Sequence, residues 1–211
     1  MIEYRVGNSN TNIEIKDAWL VLDIGSGHNP HPRADVLMDR YLEENADRSG
    51  KPIKIDKKRS FIIADAQYLP FKDKVIDYII ASHIAEHAED PESFCRELIR
   101  IGKKGYVETP SKIGEIFLTE RFHKWYVHVI NHTLIFEKIT NHSPLCEFFY
   151  RLFYFDIDRA GHETMTLSNR SMRCILKPLI VIIRRVWTII RNITYTRFEW
   201  DDTFDFRVIR K

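Results

Sequence analysis

The sequence predicts an α/β fold in which a parallel β-sheet carries helices on both faces. Three features of the first half indicate this fold: short apolar runs alternate with helical patterns, a Gly-x-Gly turn follows the first run, and Asp90-Pro91 is typical of a helix start. The chain has 211 residues, of which 44% are hydrophobic and 29% charged, as in globular proteins with one well-formed core. A single domain over residues 1–211 is therefore expected.

Five apolar runs predict the strands of this sheet. They occupy residues 19–24, 34–39, 60–65, 75–81 and 105–108. Between the last two, a helix capped by Asp90 would place Phe94, Leu98 and Ile99 on one face. Only residues 25 to 33 separate the first two runs, which is fewer than a parallel crossover normally needs. The first crossover is therefore predicted to be shortened, with at most one helical turn.

The second half of the chain predicts additions to the sheet. Residues 124–130 and 133–139 are rich in β-forming residues and flank Asn131-His132, which predicts a hairpin. Residues 198–209 alternate around Asp201-Asp202 and predict a second, closing hairpin, and the aromatic-rich residues 145–155 predict a helix.

Residues 172–193 predict an amphipathic helix whose polar face is entirely basic. The surrounding residues 164–197 contain seven Lys and Arg residues and no Asp or Glu. Residues 164–197 therefore carry a charge of +7, and the rest of the chain carries −5, which gives the net charge of +2. The opposite face consists of isoleucine, leucine and valine. This pattern is typical of a helix lying in a membrane interface, and arginine interrupts it too often for a membrane span. The alternative is a helix packed on the domain with a solvated basic face.

Cysteine usage and the N-terminal residues predict a cytoplasmic protein. Cys95, Cys146 and Cys174 are odd in number and widely spaced, so they indicate neither a disulfide framework nor a cysteine zinc site. The first residues lack the basic segment and apolar run of a secretory signal. If the basic helix binds lipid, the protein would be peripheral at the inner membrane face.

Acidic and glycine residues follow the predicted strands at the edge where open parallel sheets bind ligands. Asp23 precedes the turn Gly25-Ser26-Gly27, Asp39 ends the second strand, Asp65-Ala66-Gln67 end the third, and Ser82-His83 follow the fourth. The glycines permit a ligand to approach the backbone closely, and the carboxylates can accept hydrogen bonds from ribose hydroxyls and from an adenine amino group. A nucleoside-type ligand is predicted. Pro30 replaces the third glycine of a G-x-G-x-x-G motif, which disfavours a dinucleotide site.

Residues 21–27, 64–71, 76–83 and 86–91 together resemble the class I S-adenosylmethionine-dependent methyltransferases, in particular the type 11 domain. The resemblance covers residues 19–112 and implies a Rossmann-like sheet and S-adenosylmethionine as cofactor. It places Asp23, Gly25, Ser26 and Gly27 at the methionine part and the sulfonium. It also implies that Asp39 binds the ribose, that Asp65, Ala66 and Gln67 bind the adenine, and that Ser82 and His83 lie beside the cofactor. Asn29 stands where the family has a third glycine, and Asp56 is the alternative ribose ligand.

The resemblance divides the domain into a cofactor-binding half, residues 15–112, and a variable acceptor half, residues 113–211. Methyl transfer to a hydroxyl requires a base, for which His83 and His87 are the first candidates. Further candidates are His123, His128, His132, His142 and His162. Nucleic-acid amino-methylating enzymes of this class carry Asn/Asp-Pro-Pro-aromatic where this chain has residues 82–85, so nucleic acid is disfavoured. The predicted acceptor is a small molecule or a lipid-linked compound, such as a saccharide, methylated at the membrane surface.

Two other functions remain open from the sequence. His83, Glu86 and His87 match the H-x-x-E-H pattern of zinc peptidases, but the pattern is short, so a bound metal is not expected. A membrane-associated module that binds S-adenosylmethionine without catalysis would retain the same motifs.

Overall fold

The computed structural model of the chain describes residues 2–5, 12–43, 52–118, 122–141 and 193–211. The predicted helix at residues 145–155, nearly all of the predicted basic helix, Cys146, Cys174, His142 and His162 lie outside the described residues. No helix in these ranges is both long and apolar enough to cross a membrane.

The chain begins with a two-stranded antiparallel sheet and continues into a six-stranded one. Strands β1 (Ile2–Arg5) and β2 (Asn12–Ile15) form the first sheet. The second contains β3 (Val21–Ile24), β4 (Val36–Asp39), β5 (Ser60–Ile63), β6 (Ile76–Ser82), β7 (Gly102–Pro110) and β10 (Tyr195–Asp201). Its strand order is β10-β7-β6-β3-β4-β5, and the four pairings from β7 to β5 are parallel. The predicted Rossmann-like parallel sheet is confirmed.

The crossover between β3 and β4 contains no helix, as its shortness predicts. Buried side chains hold it instead. The carboxylate of Asp23 accepts a hydrogen bond from the His31 backbone N–H at 2.7 Å, and Arg59 Nη1 donates to the His31 carbonyl oxygen at 2.7 Å. Residues 25–35 therefore connect two parallel strands through side-chain hydrogen bonds rather than helix packing.

Helix α1 (Pro91–Ile101) follows a single 3-10 turn, Ala85–His87, and begins as predicted. The Asp90 carboxylate accepts a hydrogen bond from the Glu92 N–H, and Pro91 occupies the first turn. Its fully buried residues are Phe94, Cys95, Leu98 and Ile101, whereas Ile99, predicted on the same face, is only partly buried.

The two faces of the sheet have separate cores, because successive side chains of a strand point to opposite sides. In β3, Leu22 and Ile24 join the core under α1, while Val21 joins the other. Within the described ranges, β2 contributes Ile13 and Ile15 to that second core. One face of the sheet is thus covered by α1, and the opposite core draws on a β-hairpin strand.

A three-stranded sheet of β8 (Trp125–Ile130), β9 (Thr133–Lys138) and β11 (Asp205–Ile209) completes this part of the molecule. The hairpin predicted around Asn131-His132 is confirmed, since β8 and β9 pair antiparallel. The closing hairpin predicted at residues 198–209 is wrong. Strand β10 joins the six-stranded sheet, and β11 pairs parallel with β9. The alternation of polar and apolar residues identified both strands. The partner of β10 is instead determined by packing, because Phe198 and Trp200 are buried in the core under α1.

The chain forms two compact units. The first contains Met1–Pro110, Phe122–Ile139 and Thr196–Lys211. The second contains Ser111–Arg121 and Thr140–Tyr195, with α2 (Lys112–Leu118) among its described residues. Within it, the Ser111 N–H donates to the Thr194 carbonyl oxygen at 2.8 Å. The single domain and its division at residue 112 stay predictions.

Substitution of Gly105 in β7 tests its contact with Trp200, which holds β10 beside β7. A Cβ at this position would overlap the Trp200 ring and lie 2.8 Å from the Ile79 carbonyl oxygen. We expect Gly105→Ala to lower the free energy of unfolding by about 1–3 kcal/mol, because the core is overpacked. Chemical denaturation measures the loss. Trp200→Leu should partly relieve it, so the double variant should be less destabilised than the sum of the single ones. Strict additivity would contradict the contact.

Candidate functional site

The carboxyl ends of β3, β4, β5 and β6 border a cleft of about 310 Å³ within the first unit. Most residues predicted at the site line it: Gly25, Gly27, Asp39, Asp65, Ala66, Gln67, His83 and His87. Three do not, namely Asp23, Ser26 and Ser82. The cleft volume lies at the lower end of the range for small-molecule sites.

The glycine turn after β3 is tied to the end of β4. Gly25 and Gly27 both have positive φ values, 69° and 49°, which other residues rarely adopt. The N–H groups of Gly25 and Ser26 donate to the Met38 carbonyl oxygen at 2.8 and 3.0 Å. A Cβ at Gly25 would lie 3.0 Å from Ile84 Cδ1, so this glycine also permits a close approach.

Asp39 and Asp65 are the two carboxylates predicted at the cleft that line it. Asp39 is buried and accepts a hydrogen bond from the Gly27 N–H at 3.0 Å. Asp65 accepts hydrogen bonds from the backbone and side-chain nitrogens of Gln67, each at 2.9 Å, and Arg40 lies 3.3 Å from its other oxygen. Both carboxylates are thus oriented before any ligand arrives.

Asp56, the alternative ribose ligand, is outside the residues that line the cleft. Its carboxylate accepts hydrogen bonds from the Lys58 N–H and from Arg59 Nε, both at 3.0 Å. These contacts give Asp56 a role in its own turn. Of the two candidates, the structure brings only Asp39 to the cleft.

Asp23, Ser26 and Ser82 are not among the residues that line the cleft. Asp23 is 4% exposed, and burial raises its pKa to about 7, although the His31 N–H and the Arg59 charge oppose the shift. The hydroxyls of Ser26 and Ser82 are buried without a hydrogen-bond partner in the described part of the chain. The roles predicted for these three residues stay predictions.

His83 lies between two fully buried carboxylates. Its Nδ1 is 3.4 Å from Glu86 Oε1, and its Nε2 is 3.9 Å from Glu108 Oε1. Desolvation disfavours the charged imidazole, but the carboxylates of Glu86 and Glu108 outweigh it, so the pKa of His83 lies above its ordinary value. Burial would raise the pKa of Glu86, but His83, His87 and His123 lower it to about 2.

The second candidate base, His87, belongs to an aromatic cluster at the cleft. Its ring stacks on Phe122 at 5.5 Å and meets His123 edge-on at 4.7 Å. Of the further histidines predicted, His123 thus adjoins the site. His128 and His132 are not among the residues that line the cleft, and His132 packs against Phe198 instead.

Sequence reasoning missed several residues of the cleft wall. Arg40 and Tyr41 follow Asp39 directly, so the end of the strand was a sufficient signal for them. Phe122 and Lys124 come from the segment before β8, where nothing in the sequence signals the cleft. Lys124 reaches it because its N–H donates to the Glu86 carbonyl oxygen at 2.8 Å and its side chain pairs with Glu89.

Comparison with known proteins finds similarity to methyltransferases. A family model described as a methyltransferase domain matches residues 22–107. An uncharacterised methyltransferase of Mycobacterium leprae is 28% identical over 118 residues, covering 48% of this chain and 44% of the relative. Norajmaline N-methyltransferase of Rauvolfia serpentina is 39% identical over 51 residues, 24% of this chain and 18% of the relative. The chain therefore spans less than half the length of these curated relatives.

Among solved structures, the YcgJ protein of Bacillus subtilis has a TM-score of 0.37 and 21% identity. The match covers 46% of this chain and 47% of that one.

Because the carboxyl of Asp23 is buried, we expect Asp23→Asn to stabilise the protein more at high pH than at low pH. The native pKa, about 7, exceeds the ordinary 3.8, so the native state binds this proton more tightly and loses the associated stability as pH rises towards 7. An amide can still accept the His31 hydrogen bond and does not ionise. Between pH 5 and pH 8, we expect the free energy of unfolding of the variant, relative to the unsubstituted protein, to rise by about 2–3 kcal/mol.

Urea denaturation at the two pH values measures this difference. Asp56→Asn is the matched control, since Asp56 is not deeply buried, and its relative stability should not rise in this interval. If the free energies of unfolding of Asp23→Asn and the unsubstituted protein differ by the same amount at pH 5 and pH 8, the raised pKa of Asp23 is contradicted.

Proposed function

Because residues 22–107 are a class I S-adenosylmethionine-dependent methyltransferase domain, we propose that the protein transfers a methyl group to a small-molecule acceptor bound in the cleft beside His83 and His87. The observation that carries this proposal is the convergence of the glycine turn, Asp39 and Asp65 on one cleft. In an open parallel sheet this edge is where ligands bind.

The residues of the cleft fit S-adenosylmethionine, which supplies an activated methyl group on a positively charged sulfur. We assign the methionine part to the turn at Gly25 and Gly27, which lines the cleft without side chains. Asp39 accepts hydrogen bonds from the ribose hydroxyls, and Asp65, with Ala66 and Gln67, holds the adenine. Each assignment uses a hydrogen-bond acceptor or a bare backbone that the ligand chemistry requires.

His83 and His87 form the acceptor side of the cleft in this proposal. A neutral imidazole at either position can take the proton of a hydroxyl acceptor as the methyl group arrives. The neighbouring carboxylates of Glu86 and Glu108 stabilise the resulting imidazolium of His83. The remaining task of the protein is to hold donor and acceptor in line, for which Phe122 and Lys124 complete the wall.

A lipid-linked acceptor, such as a saccharide, is the more specific form of the proposal. It is supported by the sequence of residues 172–193, whose basic and apolar faces suit the surface of an anionic membrane. We propose a cytoplasmic protein that binds the inner membrane face through this segment. The relatives that methylate norajmaline and ajmaline support the broader class of small-molecule acceptors.

Binding of S-adenosylhomocysteine tests the cofactor site. We expect Asp39→Asn and Asp65→Asn each to weaken binding about 10- to 100-fold, because each variant loses charge-assisted hydrogen bonds to the ligand. Isothermal titration calorimetry measures the affinity. Asp56→Asn, which removes an aspartate outside the cleft, should bind normally. No binding to the unsubstituted protein, or equal binding by all three variants, would refute the proposed site.

Turnover separates the enzyme from a non-catalytic binding module. The protein is incubated with radiolabelled S-adenosylmethionine and with lipid or glycan extracts. Methylation that is lost in Asp65→Asn supports the enzyme. Binding of S-adenosylhomocysteine with no transfer to any extract would favour the binding module.

Vesicle co-sedimentation tests the membrane proposal. The full chain should pellet with phosphatidylserine-containing vesicles and not with phosphatidylcholine alone. Replacing Arg184 and Arg185 by Gln should weaken binding about 30-fold, since each basic residue near an anionic surface contributes about 1 kcal/mol. Lys57→Gln with Lys58→Gln removes the same charge from exposed positions of the first unit and should change little. Equal loss in both pairs would mean that only net charge matters.

A further inference from the structure

Three side chains, of which His87 lines the cleft, bring metal-ligating atoms close together. Glu86 and His87 belong to the 3-10 turn, and His123 precedes β8. One ligand atom from each lies within 4.8 Å of the other two. The backbone hydrogen bond from Lys124 to Glu86 holds the two segments together, so the cluster is part of the fold.

The carboxylate of Glu86 is a second, independent indication of a ligand. Glu86 is 0% exposed, and in the described part of the chain neither of its carboxylate oxygens accepts a hydrogen bond. A buried carboxylate is unfavourable unless it is paired or coordinates a cation. His83 Nδ1 approaches to 3.4 Å, which is longer than a charge-assisted hydrogen bond. A cation among Glu86, His87 and His123 would satisfy the carboxylate.

We propose that Glu86, His87 and His123 bind a divalent transition-metal ion, with Zn²⁺ as its representative. Two imidazoles and one carboxylate form the donor set of catalytic zinc sites, whereas Mg²⁺ and Ca²⁺ prefer oxygen ligands alone. Bonds of about 2.0–2.1 Å in a tetrahedral arrangement would place the ligand atoms roughly 3.3 Å apart. The three side chains must therefore draw together by up to about 1.5 Å as the ion binds.

This site differs from the one that the H-x-x-E-H pattern suggests. That pattern would use His83 and His87 as ligands and Glu86 as a base. In the structure His83 has a positive φ of 57° and is not a member of the cluster. It contacts the Glu86 carboxylate, as residues that orient a metal ligand do. The third ligand comes from residue 123, outside the motif.

An ion at this point would have a consequence for the acceptor, and this step rests on the proposed function. Three protein ligands leave a coordination position open, and His87 also lines the cleft. A hydroxyl bound to the ion would lose its proton more easily than in water, and with His87 bound to the ion, His83 is the base that remains to take that proton. The site therefore favours an acceptor that carries a hydroxyl group.

Metal titration of the full chain tests the site. After dialysis against a chelator, the protein is titrated with Zn²⁺ in competition with a chromophoric chelator, and with Co²⁺ while its visible absorption is recorded. We expect one ion per chain. Glu86→Gln and His123→Asn should each weaken Zn²⁺ binding at least about 100-fold and abolish the cobalt spectrum, because each removes a direct ligand. His132→Asn, which removes an exposed histidine at the β8–β9 turn, should bind as the unsubstituted protein does.

Two results would overturn the inference: no stoichiometric binding of either ion, or binding that survives in both Glu86→Gln and His123→Asn. Circular dichroism verifies that each variant is folded, and His123→Asn leaves the buried carboxylate intact should Glu86→Gln fail to fold. Titration of the same samples with S-adenosylhomocysteine separates the two proposals. Nucleoside binding without metal binding refutes the metal site alone, and metal binding without nucleoside binding refutes only the proposed function.

Discussion

The backbone of residues 25–27 is hydrogen-bonded to the end of the neighbouring strand, and the geometry of the cleft depends on this attachment. Gly25 and Ser26 donate to the Met38 carbonyl oxygen, and Gly27 donates to the carboxylate of Asp39. The same contacts therefore shape the turn and orient the acidic side chain beside it. Because β3 and β4 are parallel neighbours, the two features lie at one edge of the sheet without further support from a helix.

Buried charge is the second constraint on the site. Asp23, Glu86 and Glu108 are each under 5% exposed, and each must be compensated nearby. Glu108 accepts hydrogen bonds from the Tyr106 hydroxyl at 2.7 Å and from Arg197 Nε at 3.1 Å. The histidines of the cleft wall are thus set among carboxylates that other parts of the first unit hold in place. His83, Glu86 and Glu108 form a network of interacting charges, so a change at one member affects the electrostatics of the others.

Local patterns predicted the sheet and many of the residues that line the cleft, because both follow from short segments. An apolar run identifies a buried parallel strand, and the residue after the run lies at the carboxyl edge wherever the strand sits in the sheet. Asp39 and Asp65 were found in this way. Asp23, Ser26 and Ser82 were named by the same logic but do not line the cleft. For Asp23 in β3, the alternation of side chains along a strand is the physical reason. Contacts between distant segments left no such signal. Long-range packing decides which strands pair with β10 and β11. It also brings Phe122, His123 and Lys124 to the other residues around the cleft. Neither arrangement can be read from a short stretch of a single sequence.

The crossover between β3 and β4 has an electrostatic consequence. In nucleotide-binding α/β proteins, the helix that follows such a glycine turn directs its positive dipole end at the phosphates of the ligand. Residues 25–35 contain no helix, and the N–H groups of Gly25, Ser26 and Gly27 donate within the protein, so the turn presents no helix dipole to a ligand. Of the charged side chains that line the cleft, three are carboxylates, from Asp39, Asp65 and Glu89, and two are cations, from Arg40 and Lys124. The cleft is thereby less suited to polyphosphates and better suited to ligands that carry a positive charge. This preference follows from the absence of a helix after the glycine turn.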